Sequence, residues 1–139
     1  MTVPIRPLAA AAALALAVSS VAPPAAWARA SGTAKTLKAV DTDGDGTIDL
    51  KEAQAAAEAT FDRAEKDRDG TVDTRELKGR LSRADLKAAD TDNDGTLDKR
   101  EFLALVEKRF KAADPDNDGT LDAGELKTPA GRSLLQLLK

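Results

Sequence analysis

The sequence predicts an all-α fold in which short helices alternate with four acidic loops. Twelve-residue acidic segments of one pattern begin at residues 41, 65, 90 and 114. The spacers between the first two and the last two of these segments, residues 53–64 and 102–113, contain no glycine or proline and favour helix. Twelve residues are too few for one helix to leave a loop and another to enter the next. Each spacer is therefore predicted to be one helix shared by two adjacent loops.

The N-terminal segment, residues 1–30, is predicted to be a secretory signal peptide. Arg6 precedes an apolar stretch over residues 8–18, and small residues allow cleavage after Ala28 or Ala30. The apolar stretch is shorter than the about 20 residues that a membrane span needs, although an uncleaved anchor is the alternative. Residues 31–36 are predicted to be disordered, and residues 37–139 to form the metal-binding domain described below.

Each acidic segment matches the EF-hand metal loop. Acids occupy positions 1, 3, 5, 9 and 12, glycine occupies position 6 and an aliphatic residue occupies position 8. One match could arise by chance, but four in register could not. The segments are loop 1 (41-DTDGDGTIDLKE-52), loop 2 (65-EKDRDGTVDTRE-76), loop 3 (90-DTDNDGTLDKRE-101) and loop 4 (114-DPDNDGTLDAGE-125).

The metal ligands of such a loop are oxygen atoms from positions 1, 3, 5, 7, 9 and 12, with the backbone carbonyl acting at position 7. Oxygen ligands without imidazole or thiolate select hard cations and exclude zinc, copper and iron–sulfur chemistry. The predicted ligands are Asp41, Asp43, Asp45, Thr47, Asp49 and Glu52 in loop 1; Glu65, Asp67, Asp69, Thr71, Asp73 and Glu76 in loop 2; Asp90, Asp92, Asp94, Thr96, Asp98 and Glu101 in loop 3; and Asp114, Asp116, Asp118, Thr120, Asp122 and Glu125 in loop 4.

Loop 2 is predicted to be the weakest site. Glu65 replaces aspartate at position 1, and its extra methylene pushes the carboxylate into a space suited to a shorter side chain. Lys66, Arg68 and Arg75 also make this loop the most basic of the four. The alternative is that loop 2 binds no metal and only pairs with another loop. Loop 4 has no basic residue and is predicted to be among the strongest sites.

The density of negative charge in the loops favours highly charged ions. Two carboxylates about 4 Å apart repel each other by about 4 kcal/mol at an effective dielectric constant of about 20. A trivalent ion relieves this repulsion more than a divalent ion does. Lanthanide ions are therefore suited to these sites, although five-carboxylate calcium loops are also physically reasonable.

The connector over residues 77–89 decides which loops pair through a β-bridge at position 8. If it bends, as Gly79 and a helix cap at Ser82 indicate, loop 2 pairs with loop 3 and loop 1 with loop 4. If it is straight, loop 1 pairs with loop 3 and loop 2 with loop 4. The bent form is favoured.

The tail is predicted to be a closing helix, with Thr128 as its cap and Pro129 in its first turn. Its leucines are predicted to cover the bundle, and a membrane or partner helix is the alternative. Apolar residues that flank the loops are predicted to form the rest of the core. The predicted core residues are Leu37, Ala53, Phe61, Leu77, Leu86, Phe102, Phe110, Leu126, Leu134, Leu135, Leu137 and Leu138.

The chain resembles the lanmodulin family, periplasmic lanthanide-binding EF-hand proteins of methylotrophic bacteria. The likeness lies in the four loops, the twelve-residue spacers, the aspartate at position 9 and the segments 108–126 and 128–135. It implies a compact three-helix bundle with metal sites at its ends, disordered without metal, that folds on binding lanthanides more tightly than calcium. The family carries proline at position 2, which only Pro115 matches here; Thr42, Lys66 and Thr91 depart from it.

The function predicted from these features is an exported, periplasmic lanthanide-binding protein that folds around up to four ions, for uptake, buffering or delivery. The alternative is a periplasmic calcium-binding buffer or sensor, and a calmodulin-like adaptor is disfavoured because Met1 is the only methionine. Catalysis is not expected, because the chain has no histidine, cysteine or tyrosine. A net charge of −3 without a basic patch argues against nucleic acid as a partner. A monomer is predicted, with no membrane contact after signal cleavage.

Overall fold

The computed structural model describes residues 27–139, with side chains from residue 32 onward. Within this range five α-helices alternate with four two-residue strands. In chain order the elements are α1 (Trp27–Val40), β1 (Ile48–Asp49), α2 (Leu50–Ala64), β2 (Thr71–Val72), α3 (Arg83–Ala89), β3 (Leu97–Asp98), α4 (Lys99–Ala113), β4 (Thr120–Leu121), a 3₁₀ helix (Glu125–Lys127) and α5 (Pro129–Leu137). The predicted all-α EF-hand fold, with helices shared by adjacent loops, is confirmed.

The shared helices α2 and α4 each have 15 residues and begin three positions earlier than the spacers. The early start has a local cause. Asp49 and Asp98, at position 9 of loops 1 and 3, are N-caps whose carboxylates accept the N–H of Glu52 and Glu101, and these glutamates accept the cap N–H in return. This reciprocal capping box begins each helix inside its loop.

The loops pair as the bent connector predicts. β1 pairs with β4 in antiparallel register, with Ile48 opposite Leu121. β2 pairs with β3, with Val72 opposite Leu97. All four of these side chains are fully buried. The two pairs of loops are therefore each joined through an apolar contact at position 8, and the alternative with a straight connector is wrong.

The bend occurs where two consecutive residues leave the right-handed region. Lys78 has φ +47° and Gly79 has φ +77°, which ends any helix that could have continued out of loop 2. The chain then restarts as α3, where the Ser82 side chain accepts the N–H of Asp85 as an N-cap. The predicted cap at Ser82 is confirmed.

The core lies between α2, α4 and α5. α2 and α4 pack against each other, with the ring centroids of Phe61 and Phe102 at 5.7 Å. α5 packs on α4, and α1 contacts α2 and α5. Of the predicted core residues all are buried except Leu37, which is partly buried against the core.

The closing helix α5 also forms as predicted. The Thr128 side chain accepts the N–H of Gly131, and Pro129 occupies the first position of the helix. Arg109 Nη1 of α4 donates to the backbone oxygen of Ser133 at 2.8 Å, which ties α5 to α4. All four predicted leucines of the tail are buried, so this helix closes the core. Between residues 27 and 139 none of the helices has the length and hydropathy of a membrane span.

The structure differs from the sequence prediction at residues 31–36, which lie within α1 rather than in a disordered segment. The physical reason is that the last turn of α1 is anchored, because Val40 is buried and Leu37 packs against the core. An anchored turn lets the helix continue backwards, and Thr36 Oγ1 donates to the Gly32 oxygen one turn earlier at 2.9 Å. The predicted signal peptide, residues 1–30, lies outside the described residues except for 27–30, and it stays a prediction.

Candidate metal centre

The carboxylates at positions 1, 3 and 5 converge in three of the four loops. In each of these loops one oxygen from every carboxylate lies within 4.8 Å of the other two. The three groups are Asp41, Asp43 and Asp45; Asp90, Asp92 and Asp94; and Asp114, Asp116 and Asp118. Three anionic oxygens this close together repel one another unless a cation lies between them. Loops 1, 3 and 4 therefore have the donor set of a hard-cation site.

The position-1 carboxylate is held by the turn at position 6. The N–H of Gly46, Gly95 and Gly119 donates to the Oδ2 atom of position 1 at 3.0, 2.9 and 3.1 Å. These glycines have φ between +87° and +91°, a conformation that side chains rarely adopt. The turn thus folds the loop back on its own first ligand.

The other carboxylate oxygen of position 1 is buried in loops 3 and 4. Asp90 and Asp114 are buried, with 8% and 6% of their surface exposed. Their Oδ1 atoms are buried and have no hydrogen-bond donor within the described residues. A buried, unpartnered carboxylate oxygen is costly. A cation bound among the clustered carboxylates would provide the missing partner.

Position 7 orients position 5 through its side chain and backbone in every loop. In loop 1 the Thr47 hydroxyl and N–H donate to Asp45 Oδ1 at 2.7 and 2.8 Å. These two hydrogen bonds lower the pKa of Asp45. The equivalent pair in loop 2, from the N–H and hydroxyl of Thr71, lowers the pKa of Asp69. The threonine predicted to act through its carbonyl therefore also fixes a neighbouring carboxylate.

The carboxyl groups at position 3 of loops 1 and 3 have a raised pKa. The N–H of Asp45 lowers the pKa of Asp43, but desolvation and the charges of Asp45, Glu52 and Asp41 outweigh it and raise the pKa above its ordinary value. Asp92 in loop 3 has a raised pKa for the same kinds of reason, including the charges of Asp94 and Glu101. The position-12 glutamate is therefore close enough to position 3 for their charges to interact.

Positions 9 and 12 bind each other through the capping boxes. Glu52 Oε2 accepts the Asp49 N–H at 3.1 Å, and Glu101 Oε2 accepts the Asp98 N–H at 3.1 Å. In loop 4, Glu125 Oε2 accepts the Asp122 N–H at 2.9 Å. These contacts place the position-12 carboxylate at the loop entrance to the following helix.

Sequence reasoning missed a second anchor for position 12, which comes from position 2. In loop 1 the N–H and hydroxyl of Thr42 donate to Glu52 Oε1 at 2.6 and 2.9 Å. In loop 3 the N–H and hydroxyl of Thr91 donate to Glu101 Oε1 at 2.7 and 2.6 Å. The Thr91 hydroxyl and N–H lower the pKa of Glu101. Burial alone would raise the pKa of Glu52, but the Thr42 and Asp49 donors lower it overall.

Loop 2 departs from the other three at position 1. The Glu65 Oε1 atom accepts the Gly70 N–H at 2.6 Å, so the longer side chain reaches the turn. Within the described residues, Glu65, Asp67 and Asp69 do not form a convergent group like those of the other loops. The strength of the second site stays a prediction. The complete ligand sets of all four loops stay a prediction.

Two comparisons with known proteins agree with this geometry. The EF hand family model matches residues 33–54, 84–106 and 105–128, which contain loops 1, 3 and 4. Loop 2 lies outside these segments. Lanmodulin of Methylorubrum extorquens AM1 is 56% identical to the chain over 70 residues, which are 50% of this chain and 53% of that protein. The chain thus spans about half the length of the relative that it matches.

The fold, the three carboxylate groups and both comparisons lead to the same assignment. The loops are joined in pairs at position 8, their helices are shared, and their donors are all oxygen atoms suited to a hard cation. The chain therefore has EF-hand loops suited to hard cations, three of which match the EF hand family model, and it is similar to Lanmodulin over half of its own length.

Proposed function

We propose that the protein is an exported, high-affinity lanthanide-binding protein that folds when its loops bind metal, and that it acts in uptake, buffering or delivery of these ions. The observation that carries the proposal is the surplus of anionic oxygen in loops 3 and 4. Each has five carboxylates, and the buried Oδ1 atom of Asp90 or Asp114 has no hydrogen-bond donor. The similarity to Lanmodulin supports the same assignment.

The charge of the ion follows from the charge of the loop. Five carboxylates exceed the charge of a divalent ion by three, whereas a trivalent ion leaves an excess of two. Desolvation and the charges of neighbouring carboxylates raise the pKa of Asp43 and Asp92, so crowded negative charge is unfavourable in loops 1 and 3. A trivalent ion with a size near that of Ca²⁺ therefore gains more from these loops than Ca²⁺ does.

Coupling of folding to binding follows from where the loops lie. The bridges Ile48–Leu121 and Val72–Leu97 bring the acidic loops together in pairs. Within the described residues the apolar core is small, and its aromatic side chains are Phe61, Phe102 and Phe110. Such a core offsets the repulsion between paired loops only weakly, so bound cations would provide much of the stability of the fold.

The proposal is tested by titrating the chelator-treated protein with La³⁺ and with Ca²⁺ while helix content is followed by circular dichroism. We expect low helicity without metal, and a helical transition at a free La³⁺ concentration several orders of magnitude below that for Ca²⁺. Transitions at similar free concentrations of the two ions would overturn lanthanide selectivity. A chelated protein that is already as helical as the loaded one would overturn metal-coupled folding.

A second candidate function, a calcium-binding buffer or sensor, is favoured by one observation. The lanmodulin family carries proline at position 2, but in this chain only loop 4 does, at Pro115. The position-2 threonines of loops 1 and 3 contact the position-12 glutamate instead. The same titration separates this function from the first, because a calcium buffer would fold at micromolar Ca²⁺ without needing La³⁺.

Export to the periplasm is part of the proposal and rests on residues 1–30. Fractionation of cells that express the whole chain should place the protein in the periplasm, with a mature N-terminus at Arg29 or Ser31. Retention of Met1 in the cytoplasmic fraction would contradict export.

A further inference from the structure

The residue at position 2 contacts the position-12 glutamate differently in the four loops. In loops 1 and 3, a threonine gives both its N–H and its hydroxyl to Oε1 of Glu52 or Glu101. In loop 2, the Lys66 N–H alone donates to Glu76 Oε1, at 3.0 Å. In loop 4, Pro115 has no N–H to donate. The chain therefore contains a graded series of two, one and no donors.

We propose that Thr42 and Thr91 are positioning residues that reduce the discrimination between trivalent and divalent ions at loops 1 and 3, by occupying Oε1 of Glu52 and Glu101. The inference rests on the proposed function, because it concerns the same metal sites. It assigns the discrimination to particular hydrogen bonds rather than to the number of carboxylates, which is five in every loop.

The lone pairs of the carboxylate explain the effect. An ionised carboxylate has about four acceptor sites on its two oxygens. In loop 3, the Thr91 N–H and hydroxyl fill both sites of Glu101 Oε1, and the Asp98 N–H fills one of Oε2. One acceptor site of Glu101 then remains for a metal ion. Glu52 in loop 1 has the same three donors, from Thr42 and Asp49.

A metal ion that binds Glu52 or Glu101 through both oxygens must therefore displace a threonine hydroxyl. In loop 4 no such displacement is needed, because Glu125 accepts from Asp122 at Oε2 and position 2 has no donor. The hydroxyl also withdraws negative charge from Oε1, and this charge contributes more to the binding of a trivalent ion than to that of a divalent ion. Removing the hydroxyl should favour both ions, and the trivalent ion more.

Thr91 is suited to a test because its side chain is exposed and its replacement leaves no cavity. Thr91→Val removes the hydroxyl but keeps the N–H and the shape, whereas Thr91→Ser keeps the hydroxyl. Pro115→Thr introduces both donors into loop 4. The glycine at position 6 of each loop, whose N–H donates to position 1, provides a separate amide signal for each site.

The experiment follows these four glycine amides by NMR in the full chain, at free La³⁺ and Ca²⁺ concentrations buffered by a competing chelator. For Thr91→Val we expect the ratio of La³⁺ to Ca²⁺ affinity of loop 3, followed at Gly95, to rise by about three- to tenfold. The ratio of loop 4, followed at Gly119, should be unchanged. Thr91→Ser should leave the Gly95 ratio as in the wild type. Pro115→Thr should lower the ratio at Gly119 by a similar factor.

If the hydroxyl had a merely structural role, its removal would weaken the binding of both ions equally. The ratio of La³⁺ to Ca²⁺ affinity of loop 3, followed at Gly95, would then be unchanged. That result for Thr91→Val, or a fall in the ratio, would overturn the inference. A wild-type ratio near one at every loop would instead overturn the proposed lanthanide function. The two failures are distinct, because the inference concerns the change between variant and wild type and not the wild-type value.

Discussion

Two halves of the chain, residues 41–76 and 90–125, follow one plan but differ in the loop that ends each half. Each half is a loop, a 15-residue helix and another loop, and each helix begins at a capping box. Loop 2 closes the first half and loop 4 the second. Both have five carboxylates, yet only loop 4 brings positions 1, 3 and 5 together within the described residues. An equal number of carboxylates therefore does not make two equal sites.

Two differences separate these loops. At position 1, Asp114 is buried with an unpartnered oxygen, whereas Glu65 is partly exposed and reaches the Gly70 N–H. After position 12, loop 4 continues into the 3₁₀ helix and α5, but loop 2 continues into the turn at Gly79. The comparison indicates that the quality of a site depends on the length of its first ligand and on the packing behind its last ligand.

Replacing the position-1 carboxylate should distinguish the two loops most strongly. Asp114→Asn removes one charge from the convergent group, and we expect La³⁺ affinity at loop 4 to fall about 100-fold. Glu65→Gln is the matched change in loop 2 and should alter affinity there by less than about threefold, because that site is already weak. Chelator-buffered titration followed at the Gly119 and Gly70 amides measures both. Equal losses at the two loops would contradict the comparison.

Packing behind loop 4 should matter next. A Cβ atom at Gly131 would lie 2.2 Å from the backbone oxygen of Glu125 and 2.6 Å from the Leu126 Cα. Gly131→Ala should therefore push α5 away from the end of loop 4 and destabilise the metal-loaded fold by about 2 kcal/mol. It should also weaken metal binding at loop 4, which is followed at the Gly119 amide.

The control for this change is Ala130→Gly, one position earlier in α5, which should cost no more than about 1 kcal/mol through helix propensity. It should leave metal binding at loop 4 unaltered. Thermal unfolding with saturating La³⁺ gives the stabilities of both variants. If Gly131→Ala were no worse than Ala130→Gly, α5 would not support loop 4.

Restoring the short ligand in loop 2 tests the other difference. Glu65→Asp should strengthen La³⁺ binding at loop 2 by about tenfold, because the carboxylate can then join Asp67 and Asp69 without overreaching. The reverse change, Asp114→Glu, should weaken loop 4 by a similar factor. An unchanged loop 2 in Glu65→Asp would assign its weakness to Lys66, Arg68 and Arg75 instead.

Much of the fold was predictable because it follows from spacing and periodicity. The twelve-residue spacers implied shared helices, and the helix-breaking Gly79 with the Ser82 cap implied the loop pairing. Val72 and Leu97 meet because position 8 is an aliphatic residue in every loop. These features are local or repeat along the chain, so a sequence reveals them.

The parts that were missed depend on contacts between distant residues. The hydrogen bonds from Thr42 to Glu52 and from Thr91 to Glu101 cross ten positions and arise only when the loop has closed. The order of residues 31–36 depends on the docking of Val40 against the core, which composition does not show. The close approach of Gly131 to Glu125 likewise exists only after α5 packs.

The smallest expected effect concerns loops 1 and 3, which are the first loops of the two halves and resemble each other. Because the pKa values of Asp43 and Asp92 are raised in the fold, their charged forms are disfavoured there. This cost is fully present above the raised pKa and disappears as the pH falls below the ordinary value of 3.8. Asp43→Asn and Asp92→Asn should therefore both increase the helicity of the chelated protein at neutral pH.

At a pH well below 3.8 the same two variants should be no more helical than the wild type, because the carboxyl groups are then protonated in both the folded and the unfolded chain. Glu58→Gln, on the exposed face of α2, is the matched control for the change in net charge. Circular dichroism of the chelated proteins at the two pH values measures the difference. If Glu58→Gln raised helicity as much as Asp43→Asn, net charge and not crowding within the loop would oppose folding, and the two halves would resemble each other only in sequence.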